Sequence, residues 1–281
     1  MGGQSLRLEK SERTQPIGLD AVPRANRPPS TLLEVRDISV RFGGVIALDR
    51  VSFDLSRGQI LGLIGPNGAG KTTLFNCLSR LYQPCMGQIL IEGQNILGRP
   101  AHRIAEIGIG RTFQNVALFA TLSVLDNVRV GAHSRTKSNF VSDALRLSAA
   151  RREDAIAAER ANEVIAYMDL QEVANVVVAG LPFGTQKRVE LARALAAEPK
   201  VLLLDEPAGG LNHEEVHVLG GLIRRIRDER DVTVLLVEHH MGLVMSIADR
   251  VVALDFGRKL AEGTPKQIQA DPRVIQAYLG S

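Results

Sequence analysis

The chain has 281 residues, 45% of them hydrophobic, and a net charge of +3, which suits one or two globular domains with a full core. No apolar run reaches the ~20 residues of a membrane-spanning helix. The only cysteines, Cys77 and Cys85, make no disulfide framework and suit a reducing compartment.

Met1–Ser30 is rich in Arg, Ser and Pro and lacks the apolar core of a signal sequence. It is expected to be a disordered tail on a chain that is not exported. The tail holds five basic and three acidic side chains, so the rest is nearly neutral and shows no basic stripe for nucleic acid. From Leu32 to Gln59 the pairs Leu33/Val35 and Ile38/Val40 and the triplet Val51/Phe53/Leu55 alternate with polar residues. Turns fall at Gly43-Gly44 and Arg57-Gly58. Gly87–Gly93 repeats this pattern, and together the segments predict an antiparallel layer.

Between them lies Gly65-Pro66-Asn67-Gly68-Ala69-Gly70-Lys71-Thr72-Thr73, which meets the pattern G-x-x-x-x-G-K-[ST]. Glycines let successive backbone N–H groups turn inward as an anion cradle, and a following helix points its positive end at the same place. Lys71 is placed to reach β- and γ-phosphates, and the Thr72 hydroxyl to ligate Mg²⁺. The flanks agree: the apolar run Gln59–Ile64 reads as a buried parallel strand, and Thr73–Leu78 as a helix with Cys77 in the core.

Leu122–Val178 predicts helix, with Ala157, Ala161, Val164, Ile165 and Met168 on one face. Strands are then expected at Val201–Leu204 and Val232–Val237, helices at Leu191–Ala197 and Val216–Arg227, and a hairpin around Phe256-Gly257. A last helix carries Val274, Ile275, Tyr278 and Leu279. The strand Val201–Leu204 ends in Asp205-Glu206. The first of such carboxylates can hold Mg²⁺ through its water shell. The second can polarise the water that attacks a γ-phosphate.

This order of motifs resembles the ATP-binding subunits of ABC transporters, over essentially all of 32–281. The resemblance implies an α/β fold: a P-loop NTPase core with an antiparallel β-subdomain and an inserted α-helical subdomain. Residues 31–113 and 186–281 would form the nucleotide-binding core with the β-subdomain, and 114–185 the helical and signature subdomain. It implies that Phe42 stacks on adenine, that Gln114 contacts Mg²⁺ and the attacking water, and that His239 contacts the γ-phosphate. His240 is expected to be structural or exposed. Leu181-Pro182-Phe183-Gly184-Thr185-Gln186-Lys187-Arg188 matches the signature loop, which lies at a helix start and caps ATP held by the opposite subunit. Pro182 stands for the family's serine, Phe183 for a glycine and Thr185 for a glutamine, while Gly184 is retained. Asn212 replaces the usual aspartate of the D-loop.

These departures, with Phe42-Gly43-Gly44-Val45, Glu238-His239-His240-Met241 and Ala277-Tyr278-Leu279-Gly280, resemble the G-type ATPase of the branched-chain amino-acid importer. The resemblance implies an ATPase that uses ATP and Mg²⁺ on the inner face of the cell membrane. Its partners would be a homologous ATPase subunit (a heterodimer in the active complex, a homodimer in isolation), two permease subunits and, indirectly, an external solute-binding protein, with no nucleic acid. Alternatives are an ABC system for other amino acids, amides or urea, or for lipopolysaccharide export, and a non-transport ABC protein acting on DNA or ribosomes.

Overall fold

The computed structural model of the chain describes residues 30–112, 117–133 and 148–279, the side chains of 133 and 148–153 excepted. The expected tail, apart from Ser30, lies outside the described residues, as does Gln114.

Two sheets form the frame. β1 (Thr31–Phe42) and β2 (Val45–Ser56) make a hairpin across Gly43, whose φ of 57° suits glycine. β4 (Met86–Ile91) pairs antiparallel with β1, and the two-residue β5 (Gln94–Asn95) closes a sheet of order β2-β1-β4-β5. This is the predicted antiparallel layer, with Leu33, Val35, Val51, Phe53 and Leu55 inward.

The second sheet has the order β10-β9-β3-β8-β7-β6. β3 (Ile60–Ile64), β6 (Ile109–Arg111), β7 (Val201–Asp205), β8 (Thr233–Val237) and β9 (Arg250–Asp255) run parallel, and β10 (Arg258–Gly263) returns antiparallel on β9. Its central strands are almost wholly apolar because both faces are covered. Ile60, Ile64, Leu202, Leu204, Val234 and Leu236 face one core; Leu61, Leu63, Val201, Leu203, Leu235 and Val237 face the other, shared with the antiparallel layer.

α1 (Lys71–Leu78) seats Leu74, Phe75, Cys77 and Leu78 in that second core. The first core is roofed by α2 (Val124–His133), α3 (Ser148–Tyr167), α4 (Phe183–Ala196), α5 (His213–Arg230), α6 (Met241–Ile247), α7 (Pro265–Ala270) and α8 (Pro272–Leu279). None of the described helices is long and apolar enough to cross a membrane.

α4 starts at Phe183, in the stretch 181–188 expected at a helix start, and runs unbroken into the helix expected at Leu191–Ala197; Lys187, Val189 and Glu190 are buried and join the two. The three-residue β6 and the seven-residue α6 were not expected: both are too short to display a period and are held by tertiary contacts.

Where α2 crosses α4, a Cβ built on Gly131 would lie 2.0 Å from the Arg193 carbonyl oxygen. Backbone cannot yield as a side-chain tip can. Gly131→Ala is therefore expected to destabilise the fold by about 1–3 kcal/mol in urea unfolding, despite alanine's better helix propensity.

Candidate functional site

In the parallel sheet β3, β8 and β7 are neighbours, so the chain leaves all three at the same edge, where ligands of open α/β sheets bind. The loop 65–70 follows β3, Glu206 follows β7 directly, and His239 lies two positions beyond β8. They meet at a cavity of about 810 Å³, lined by Val45, Ile46, Ala47, Asn67, Gly68, Ala69, Gly70, Lys71, Thr72, Thr73, Glu206 and His239.

The loop needs its glycines. Gly70 has φ 97°, and a Cβ there would come within 2.7 Å of the Ala47 carbonyl oxygen. Gly70 also starts α1 without any side-chain cap, and Lys71, Thr72 and Thr73 of the first turn, whose N–H groups have no partner within the helix, line the cavity. Lys71 is 6% exposed. Its Nζ donates to the carbonyl oxygens of Gly65 at 2.6 Å and Pro66 at 2.9 Å. Among the described residues it has no ion-pair partner. Burial lowers its pKa below that of an ordinary lysine, and Glu206 works in the opposite direction. A buried cation facing a cradle of N–H groups fits a polyphosphate.

Glu206 sits at φ 49°, a left-handed conformation that costs roughly 1–3 kcal/mol in a non-glycine residue. Its N–H is anchored on the Val237 carbonyl at 2.9 Å, and its own carbonyl accepts from Gly209 N–H at 3.1 Å. His239 Nε2 lies 2.9 Å from Glu206 Oε1. The buried Glu238 carboxylate braces this turn by accepting from the N–H groups of Ala208 (2.6 Å), His239 (3.0 Å) and His240 (3.1 Å). His240 itself caps α6, its Nδ1 accepting from Leu243 N–H at 3.2 Å.

Asp205 does not line the cavity. Its carboxylate accepts from Arg111 Nη2 at 2.8 Å, and the two side chains are 3% and 10% exposed. Arg111 also donates to Asn76 Oδ1 (2.9 Å) and Ser79 Oγ (2.8 Å) on and beside α1. No cluster of three or more His, Cys, Asp or Glu side chains able to hold a metal occurs among the described residues. A cation here would be held by few protein groups together with phosphate and water, the habit of Mg²⁺: the Thr72 hydroxyl lines the cavity, whereas Asp205, turned to Arg111, would act only through the ion's water shell.

Other predicted residues lie apart. Phe42, at the end of β1, does not line the cavity; its ring meets Tyr82 edge-on, centroids 5.2 Å apart. Pro66 lines a different cleft, towards α8. Pro182, Gly184 and Thr185 line a separate cavity between α4 and α5. There Pro182 precedes α4, whose N-terminus has no side-chain cap. Asn212 caps α5: its Oδ1 accepts from Glu215 N–H at 3.0 Å, and Glu215 accepts from Asn212 N–H at 2.9 Å. Arg111 and the brace at Glu238 were not foreseen. The signal available for Arg111 was a lone cation in a buried three-residue strand, which has meaning only once its partner is known.

The chain matches the family model described as ABC transporter over residues 48–209, and the one described as branched-chain amino acid ATP-binding cassette transporter over residues 258–281. It is 45% identical over 249 residues to the high-affinity branched-chain amino acid transport ATP-binding protein BraF of Pseudomonas aeruginosa, covering 89% of this chain and 98% of that protein. Identity to the LivG protein of Escherichia coli K12, which carries the same description, is 44% over equal shares. The fold is similar to the crystal structure of an ABC transporter's ATP-binding cassette in its ADP conformation: TM-score 0.78, 26% identity, 90% of this chain and 100% of that one.

Removing Arg111 would leave Asp205 buried without its cation. Arg111→Ala is expected to cost about 3–5 kcal/mol of stability by chemical denaturation.

Proposed function

This chain belongs to the ABC transporter family as an ATP-binding, ATP-hydrolysing subunit, and on that premise we propose that it energises the import of branched-chain amino acids. The observation that carries the ATPase reading is the meeting of the glycine loop, Lys71, Glu206 and His239 on one cavity. The solute is supported by the identity to BraF and LivG and by the match of residues 258–281.

In the proposed mechanism the loop N–H groups and Lys71 bind the β- and γ-phosphates of ATP, and Phe42 stacks on the adenine. Thr72, Asp205 and Gln114 would hold Mg²⁺, which when bound neutralises phosphate charge. Glu206 orients and polarises the attacking water, and Gln114 contacts that water. His239, set by its contact with Glu206, reports the γ-phosphate.

The site is half of a whole. Gly184 and Thr185 would donate to ATP held by a second, homologous subunit. Pro182 has no N–H to offer, which favours an unequal partner and two unequal sites. We divide the chain into a nucleotide-binding core with the β-subdomain (31–113 and 186–281) and a helical and signature unit (114–185). Two permease subunits would hold it on the inner face of the membrane, an external binding protein would deliver solute to them, and nucleic acid plays no part.

Glu206→Gln is expected to keep ATP binding while lowering hydrolysis by about 10²–10⁴-fold in the assembled transporter; wild-type turnover would overturn the assignment. Lys71→Ala should lose most ATP affinity by calorimetry. If the purified chain alone hydrolyses ATP as fast as the full complex, the unequal-partner proposal fails.

A further inference from the structure

The first residue of the phosphate loop is gripped from two sides. Gly65 leaves β3 at φ 151°, and a Cβ there would lie 2.3 Å from the Leu254 carbonyl oxygen. Its carbonyl carries the Lys71 ammonium at 2.6 Å. Its N–H donates to Tyr278 Oη at 2.7 Å, a contact spanning 213 positions of sequence.

Tyr278 lies in the last turn of α8, its ring half-buried against the core and the earlier Val274 buried. An ion pair between Arg273 and Asp271, 2.7 Å, sits at the start of the helix. Beside the contact a cleft of about 510 Å³ opens between loop and helix, lined among others by Asn67, Gly68, Asp255, Arg273 and Gln276. Tyr278 therefore reaches the loop next to an open cleft. Burial raises the phenol's pKa above its ordinary value, opposed by the bond from Gly65, so the group remains a neutral hydroxyl that accepts through a lone pair.

We propose that Tyr278 is a positioning residue for nucleotide binding: its hydroxyl pins the Ile64–Gly65 peptide and thereby the carbonyl on which Lys71 rests. Glycine's freedom would otherwise let the loop start in conformations that hold no phosphate. Pinning both peptides that flank the Gly65 Cα keeps the loop competent before ATP arrives, and apparent affinity scales with the competent fraction. The inference rests on reading the loop as the ATP phosphate site. It adds that the end of the chain, within residues 258–281, sets how well that site is formed.

The test is Tyr278→Phe in the full-length chain, which keeps the ring and removes the hydroxyl. ATP with Mg²⁺ is titrated by calorimetry into the wild type, Y278F and K71A. The expected result is a Kd for Y278F raised about 3- to 10-fold, the scale of one net hydrogen bond. In the assembled transporter the KM for ATP rises by the same factor with kcat unchanged. A lowered melting temperature with unaltered ATP affinity would mean a purely structural contact and overturn the inference. If K71A binds as the wild type does, the reading of the loop fails and the inference falls with it; loss in K71A beside wild-type affinity in Y278F overturns the inference alone. Should Y278F not fold, amide exchange on the wild-type chain decides: Gly65 is expected to be protected, and exchange as fast as at exposed Gly68 would overturn the proposal.

Discussion

The parallel register of β3, β8 and β7 is the constraint on which the rest depends. Leu63 lies opposite Val237, and Val237 opposite Asp205. Each strand is buried on both faces, so a slip of one residue would turn every inward side chain towards the wrong core. With the register pinned, the chain emerges three times at one level. The phosphate loop, Glu206 and His239 become neighbours although long stretches of sequence separate them.

That edge is then held by buried polar groups that rank as structure and site at once. Arg111 joins Asp205 at the end of β7 to Asn76 and Ser79 at the far end of α1. β7 and the helix that follows the glycine loop thus share one cation. Glu238 gathers three N–H groups from two different turns. In a poorly polarisable interior each such bond is strong when made and costly when broken. Between them Glu206, bonded through its backbone to Val237 and Gly209, keeps a left-handed conformation that its own backbone disfavours and lines the cavity.

Much of this was legible in the chain. The glycine loop, its apolar strand, the paired acids after Val201–Leu204 and the histidine after Val232–Val237 are local patterns, each set by the backbone chemistry of a few adjacent residues. What escaped reading was short or relational. β6 and α6 have too few residues for a period to show. That α4 runs unbroken from the signature stretch to Ala196 was hidden because Lys187 and Glu190 look like surface residues until they are found buried, 4.0 Å apart. Asn212 read as a departure from a loop motif; in the fold it is also the cap of α5. Phe42, read as a ring for adenine, also meets Tyr82 edge-on, a contact no local pattern shows.

By itself, then, the sequence determined which chemistry the chain can hold: a backbone cradle for phosphate, a lysine to reach it, two acids, a histidine, and an altered signature. Those follow from residue type and local spacing, since a glycine's φ, a helix start and a strand's alternation act over a handful of positions. The tertiary structure alone decided which of these groups share a cavity, that Asp205 is turned to Arg111, and that Tyr278 at the end of the chain holds Gly65. Such pairings join residues on separate elements, and only the registered packing of the sheet brings their atoms within bonding distance.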